Sequence, residues 1–282
     1  MAESKIGFIG AGRVARIMLG GWAKANQMPA EIIASDLDPG VLTRLTNAFP
    51  NVRPVGNDNP QAAGQDIVFL AVHPPHVGAV LADVKSSLQP DAILVSLAPK
   101  WTIDKLAGSL NGFARIARMI PNAPSIVGRG YNPIAYGSSL SEQDRRDLTG
   151  LFAGLGESPE VEERKLESYA ILTAMGPTYL WPQWYELLSL ARSFGLTGTE
   201  ASAGLAAMVT GAVAAMNEGG LSPMSRRADR CSASSAETPA STSPGPTAAR
   251  RQRHRGCRSA YRMHSSRSPA PVASWALAAR MP

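Results

Sequence analysis

The run Lys5–Ala15, KIGFIGAGRVA, constrains this chain more than any other stretch. Lys5–Gly10 is a short apolar segment ending on glycine, as a buried parallel strand does. Val14, Ile17, Met18, Gly21 and Trp22 then recur at three and four residues, which predicts a helix over Val14–Ala25. The link between them, Gly10-Ala11-Gly12-Arg13-Val14-Ala15, reads G-x-G-x-x-A. Gly10 permits the tight turn, Gly12 lets another molecule come close to the backbone, and Ala15 lets the helix lie close on the strand. The free N–H groups and the dipole at the helix start then face an anion.

A strand, such a turn, a helix, a second strand and an acidic residue at its end form one unit that binds the pyrophosphate of NAD or NADP. The second strand is Glu31–Ser35 (EIIAS), and Asp36 follows it, 24 residues after Gly12. Asp36 there accepts the hydroxyls of the adenosine ribose, which leans towards NAD. Leu37 and Asp38 stand where an arginine would greet a 2′-phosphate. Against that, Ser35 can bind a phosphate, and Arg13 or Arg44 can reach one. Both cofactors remain open at this point. The competing reading is that Asp36 and Asp38 only cap the helix that starts at Pro39.

Further strands are expected at Asp66–Val72, Ala92–Leu97 and Ala114–Met119, with helices at Pro39–Ala48, from Pro74-Pro75 to about Leu88, and at Thr102–Leu110. Tyr131–Tyr136 and Glu157–Val161 read as strands around a helix at Glu142–Leu155. Alternation over about 150 residues predicts an α/β fold with a doubly wound, Rossmann-type sheet. After Lys165 the pattern turns helical: Leu166–Met175, Thr178–Phe194 and Thr199–Glu218. The expected organisation is a dinucleotide domain at 1–162, a truncated all-helical domain at 163–224 for substrate and dimerisation, and a disordered basic tail at 225–282.

The tail accounts for the net charge. It holds 11 arginines, two acids and both cysteines (Cys231 and Cys257), whereas residues 1–224 carry 17 basic and 20 acidic side chains. Its Ser, Arg, Ala and Pro composition lacks the apolar surface to offset chain entropy. Without aromatic interleaving or a fold, it predicts no specific nucleic-acid partner. The body has no cysteine for a disulfide or a thiolate metal site, so no metal is expected. No unbroken apolar run reaches membrane length and the N-terminus enters a strand at once, so no membrane partner and a cytoplasmic location are expected.

KIGFIGAGRVA, DIVFLAVHP, ILVSLAPKWTIDKL, RMIPNAPSIVGRG and GPTYLWPQWYELLSLARSFGL, in that order, resemble pyrroline-5-carboxylate reductases from about residue 5 to 224. The resemblance implies reduction of the imine of 1-pyrroline-5-carboxylate to L-proline with NADPH or NADH, and a homodimer through the helical domain. It implies Gly10, Gly12, Arg13 and Val14 at the pyrophosphate, and Ser35 and Asp36 at the ribose 2′ position. Ala71, Val72, His73 and Pro74 fall beside the cofactor, with His73 in place of the usual lysine. Asn122 falls near the nicotinamide and substrate, and Thr173 and Gly176 at the substrate carboxylate.

The departures are specific. Pro99-Lys100-Trp101 replaces a small Ala-Gly stretch, and Met175 replaces a serine. No Ser-Pro-Gly-Gly-Thr-Thr run, which supplies the family's catalytic threonine, occurs in 225–282. The abrupt change near Met224 fits a shift of reading frame in GC-rich DNA. No residue reads as an obvious proton donor, so the catalytic group is unassigned and a protonated substrate or water fills that role. Other readings compete: a related imine or carbonyl reductase, a non-catalytic nucleotide binder, a turn role for Asn122, a cap or packing role for Thr173, and core or dimer contacts for Trp181, Trp184 and Tyr185.

Overall fold

The computed structural model describes residues 4–219; the tail at 225–282, and the expectation of disorder made for it, lie outside the described residues. The strands of the large sheet are β1 (Lys5–Ile9), β2 (Glu31–Ser35), β3 (Val52–Pro54), β4 (Ile67–Leu70), β5 (Ile93–Ser96), β6 (Ile116–Met119) and β8 (Ile134–Tyr136). They lie in the order β3-β2-β1-β4-β5-β6-β8. Every pair is parallel except β6 with β8. The expected strand at Tyr131–Tyr136 divides at Asn132-Pro133, leaving β7 (Gly130–Tyr131) to pair with β9 (Gly156–Glu157) in a second small sheet.

Both faces of the large sheet are covered, which is why its strands read as continuous apolar runs. On one face α1 (Arg13–Lys24), α2 (Pro39–Ala48) and α6 (Glu142–Phe152) close over Phe8, Ala34, Phe69 and Val95. Phe8 and Phe69 stack at 4.8 Å, Trp22 and Phe152 meet Phe69 at 6.0 and 6.1 Å, and the Trp22 indole donates to the Leu151 carbonyl at 2.7 Å. On the other face α3 (Asn59–Ala63), α4 (Pro74–Val84) and α5 (Ile103–Ser109) close over Ile9, Ile33, Val68 and Leu94. The sequence reading missed β3 and α3, which are too short to show a period. Pro54 sits in β3, an edge strand, where proline is tolerated.

Beyond Leu166 the expected helix at 166–175 is α7 (Leu166–Tyr169) followed by a π-turn at Ala170–Ala174, closed by Met175 N–H donating to the Ala170 carbonyl. Then come α8 (Gly176–Ser193) and α9 (Gly198–Glu218). Gly195, at φ +96°, ends α8, and Thr197 and Glu200 form a reciprocal cap at the start of α9. Trp181 and Tyr185 are 59% and 71% exposed, so among the described residues they belong to no core, contrary to one of the two roles expected of them. By length and composition α9 could cross a membrane, at mean hydropathy 1.2, although Thr199, Glu200, Ser202 and Thr210 interrupt its apolar run. Residues up to Gly211 form one compact unit, and a second begins at Ala212.

Candidate functional site

The strand order reverses between β1 and β4: the chain winds outwards through β2 and β3 on one side and through β5 and β6 on the other. A crevice opens at the carboxyl ends of strands flanking such a point, and ligands of this fold bind there. The glycine turn lies at that place. Gly10 has φ +97°, and a Cβ on it would lie 2.6 Å from the Ala71 carbonyl oxygen, so both the turn and the neighbouring β4 end require glycine. A Cβ on Gly12 would meet nothing within 4 Å, so this glycine is not needed for packing. It caps α1 with no side-chain partner, and the helix start offers N–H groups to an incoming anion.

Ala11 N–H donates to Asp36 Oδ2 at 2.9 Å, and Asp38 N–H donates to Asp36 Oδ1 at 2.9 Å. Asp36 therefore braces the turn from the end of β2. Ser35 lies elsewhere than expected. It is fully buried, and its hydroxyl donates to Asn59 Oδ1 at 2.9 Å on the α3 side, so a phosphate in the crevice does not meet it. Alternation along β2 explains this: Ser35 shares the face of Ile33, not that of Ala34.

Ala71 N–H donates to the Ile9 carbonyl at 2.8 Å, which sets Ala71–Pro74 against the glycine turn. His73 precedes α4, is exposed, and makes no side-chain cap. A cleft of about 270 Å³ runs from this turn between Gly12, Arg13, Arg16, Val41, Arg44 and Ile126. Another, of about 470 Å³, lies between α5, β8 and residues 160–163 and contains no residue of the glycine turn.

Asn122 follows β6 and is buried in a polar knot that sequence reasoning missed. Its Oδ1 accepts from Tyr131 N–H at 3.2 Å, its own N–H donates to Asn132 Oδ1 at 3.2 Å, and Ser125 Oγ donates to Asn132 Oδ1 at 2.6 Å. The Asn122 amide also donates to the Thr173 carbonyl at 3.5 Å. The structure thus brings Asn122 and Thr173 together, with both ends of the Asn122 carboxamide contacting protein groups. The Thr173 hydroxyl donates back to the Tyr169 carbonyl at 2.8 Å, inside the π-turn. Gly176 opens α8 just beyond, and a Cβ there would meet nothing within 4 Å. The Tyr131 and Tyr169 rings lie 5.9 Å apart; desolvation first, then Tyr169 and Glu157, pushes the Tyr131 phenol up, so it stays protonated.

Sequence reasoning also missed Arg118 on β6, which is 2% exposed. Its guanidinium donates to Glu163 at 3.0 Å and Glu167 at 2.8 Å, and those same two oxygens accept from Ile103 N–H and Lys100 N–H. One buried cation thereby ties β6, the loop after β5 and the start of the helical segment together. The one available signal was a lone arginine inside the apolar run IARM.

Fold and turn together define a Rossmann-type dinucleotide domain. The pattern of the family described as NADP oxidoreductase, coenzyme F420-dependent, matches residues 5–100. The chain resembles pyrroline-5-carboxylate reductases. It is 29% identical to that of Escherichia coli (strain K12) over 180 residues, 64% of this chain and 66% of the relative. It is 26% identical to that of Corynebacterium melassecola over 227 residues, 79% of this chain and 83% of the relative. The matched segment thus spans just under two thirds of the E. coli protein. Among solved structures, pyrroline-5-carboxylate reductase from Coxiella burnetii is 25% identical, with a TM-score of 0.66 over 82% of this chain and 91% of that one. The Plasmodium falciparum reductase with NADP bound shares the fold at a TM-score of 0.69, with 21% identity over 77% of this chain and 80% of that one.

Proposed function

We propose that this protein binds NADH or NADPH at the Gly10–Val14 turn and reduces 1-pyrroline-5-carboxylate to L-proline. The observation that carries this reading is the Gly12 turn, free of packing neighbours at the β1–β4 reversal, in a chain that resembles such reductases beyond the dinucleotide domain. The reduced nicotinamide supplies a hydride to the imine carbon. The chain's own residues do the rest. The backbone of Gly12, Arg13 and Val14 holds the pyrophosphate, and Ala71–Pro74 forms the wall beside it. Asn122 fixes the loop after β6 to the π-turn, which sets where Thr173 and Gly176 stand. The start of α8 presents N–H groups and the positive end of its dipole to the substrate carboxylate. The imine nitrogen arrives protonated or takes its proton from water.

The division of work follows 1–162 for cofactor and 163–224 for substrate and a second copy of the chain. Tyr179, Trp181, Tyr185 and Phe194 are exposed apolar groups of a kind that marks an interface, and a homodimer covers them. No specific nucleic-acid or membrane partner is part of this reading.

The test is consumption of NADH or NADPH with pyrroline-5-carboxylate, together with detection of proline. A second reading, cofactor binding without turnover, is favoured by Met175 and by the missing Ser-Pro-Gly-Gly-Thr-Thr run. It predicts cofactor binding with no proline formed. Turnover of other imines or carbonyls alone would favour a related reductase, which Trp101 and Met175 suggest. Gly12→Val should weaken cofactor binding by at least about tenfold with the melting temperature little changed, because a Cβ at this position meets no protein atom within 4 Å. An equal loss of folding stability would show that the turn is only structural.

A further inference from the structure

Arg118 lies in β6 with a strand on each side, its backbone in register with Ser96 of β5 and Ala135 of β8. Its place is therefore fixed by the sheet, and its side chain is buried. The guanidinium divides between two acids: Nη1 donates to Glu163 Oε1 and Nη2 to Glu167 Oε1. Each of those oxygens accepts a second bond, Glu163 from Ile103 N–H and Glu167 from Lys100 N–H, both at 2.7 Å. The Nε of Arg118 is buried and has no partner.

A buried guanidinium with an unsatisfied donor contributes little net stability, because its desolvation offsets its ion pairs. The Glu163 and Glu167 side chains are 30% and 40% exposed, so both carboxylates can return to water if the arginine is removed. What the group supplies instead is geometry. A planar fork fixes two carboxylates at once, and each carboxylate fixes a backbone N–H. A compact lysine ammonium lacks that fork.

The groups so joined lie on two segments. Lys100 belongs to the loop after the carboxyl end of β5, and Ile103 opens α5. Lys100 is held at φ +66°, a left-handed conformation that lysine keeps only where its surroundings impose it. Glu167 lies in α7, directly before the π-turn Ala170–Ala174. That turn is held a second time where the Asn122 amide meets the Thr173 carbonyl. Such π-turns recur at functional sites.

We propose that Arg118 is a positioning residue. Through Glu167 and Glu163 it sets the π-turn against the loop after β5, and so sets where Thr173 and Gly176 stand relative to a bound nicotinamide. The inference rests on the reductase reading for the nicotinamide, whereas the pinning of the turn is measured without turnover.

The experiment compares the full-length protein with Arg118→Met and Glu167→Gln by hydrogen exchange and by steady-state kinetics. In both variants the amides of 167–176 should exchange at least about tenfold faster, with those of β1 and β4 unchanged. The kcat for pyrroline-5-carboxylate should fall at least about tenfold while KM for NADH or NADPH stays within about twofold, because the glycine turn is untouched. Arg118→Lys, which restores the charge without the fork, should behave like Arg118→Met. Should Arg118→Met fail to fold, Glu167→Gln alone carries the comparison, since that side chain is partly exposed. Exchange at 167–176 that keeps the parent rate would overturn the proposal, as would equal acceleration in β1 and β4, which marks a role in overall stability alone. Faster exchange with kcat unchanged would also overturn it. If the parent itself forms no proline, the reductase reading fails, and the exchange rates still decide whether Arg118 pins the turn.

Discussion

Phe69 and Phe194 are the same side chain in two regions of one chain, and they meet opposite surroundings. Phe69 is fully buried between Phe8, Trp22 and Phe152, whereas Phe194, at the end of α8, is 79% exposed. The contrast extends to the regions around them. The strands at 5–136 are covered on both faces by helices joined through short loops. The helices after Leu166 leave Leu172, Trp181, Tyr185 and Leu190 to solvent, and within α7 to α9 only Leu166 and Ala201 are buried among the described residues. The lesson is about where burial comes from. A doubly wound sheet supplies its own cover. A run of helices with apolar residues on several faces needs another body to complete it.

The sharpest way to break that comparison is a pair of truncations. Phe69→Ala should cost about 3–5 kcal/mol in urea unfolding. Phe194→Ala, measured at protein concentrations too low for self-association, should stay within about 0.5 kcal/mol. Comparable losses would mean that α8 is packed within the single chain after all. Next in size is Trp181→Glu. If a second copy covers α8, sedimentation should show the dimer dissociation constant rising by about thirtyfold, the effect of losing a buried aromatic anchor of about 2 kcal/mol. Sedimentation unchanged by the substitution would remove this face from any interface.

A smaller effect tests the link between the regions. Lys100 has φ +66°, and its N–H donates to Glu167. Asn26 and Asn111 also take positive φ, but asparagine tolerates that conformation and lysine does not. Lys100→Gly keeps the N–H and should raise stability by up to about 1 kcal/mol, read as a higher melting temperature. A lower melting temperature would show that the lysine side chain itself holds the loop.

The smallest effect concerns acid. Desolvation pushes the Asp144 carboxyl up, but hydrogen bonds from the Ser141 hydroxyl and N–H and from the Arg115 guanidinium outweigh it and hold the group below 3.8. Because the folded value is depressed, its contribution is complete above the ordinary value and is lost as pH falls through the lowered one. Asp144→Asn should therefore destabilise at about pH 6, and the difference from the parent should shrink as pH falls below the ordinary carboxylate range, read by urea unfolding. A constant difference between the two would mean that the carboxylate's charge plays no part.

Much of the sheet was legible because its signals are local. KIGFI, EIIAS and AILVSL are apolar runs bounded by turn residues, and Pro39–Ala48 carries its own proline start and Asp38 cap. The glycine turn was legible for the same reason: Gly10 and Gly12 are read by what backbone they permit. Asn122 and Thr173 could be singled out, but not their relation. Their 3.5 Å contact joins residues 51 apart in sequence, and the knot of Asn122, Ser125 and Asn132 depends on the loop after β6 meeting the link between β7 and β8. Arg118 with Glu163 and Glu167 was illegible, because an arginine in a strand looks the same whether its partners are carboxylates or water.

By itself, then, the sequence determined the alternation of strands and helices and the turn that an anion can approach, since period, cap and glycine act over a few residues. Tertiary structure decided which of the singled-out residues face the crevice. Alternation along β2 turned Ser35 inward, hydrogen bonding across the turn committed Asp36 to backbone, and packing of α1 beside α2 gathered Arg13, Arg16 and Arg44 around one cleft. Those outcomes depend on which elements become neighbours, and that is set by how apolar faces bury one another across the whole chain.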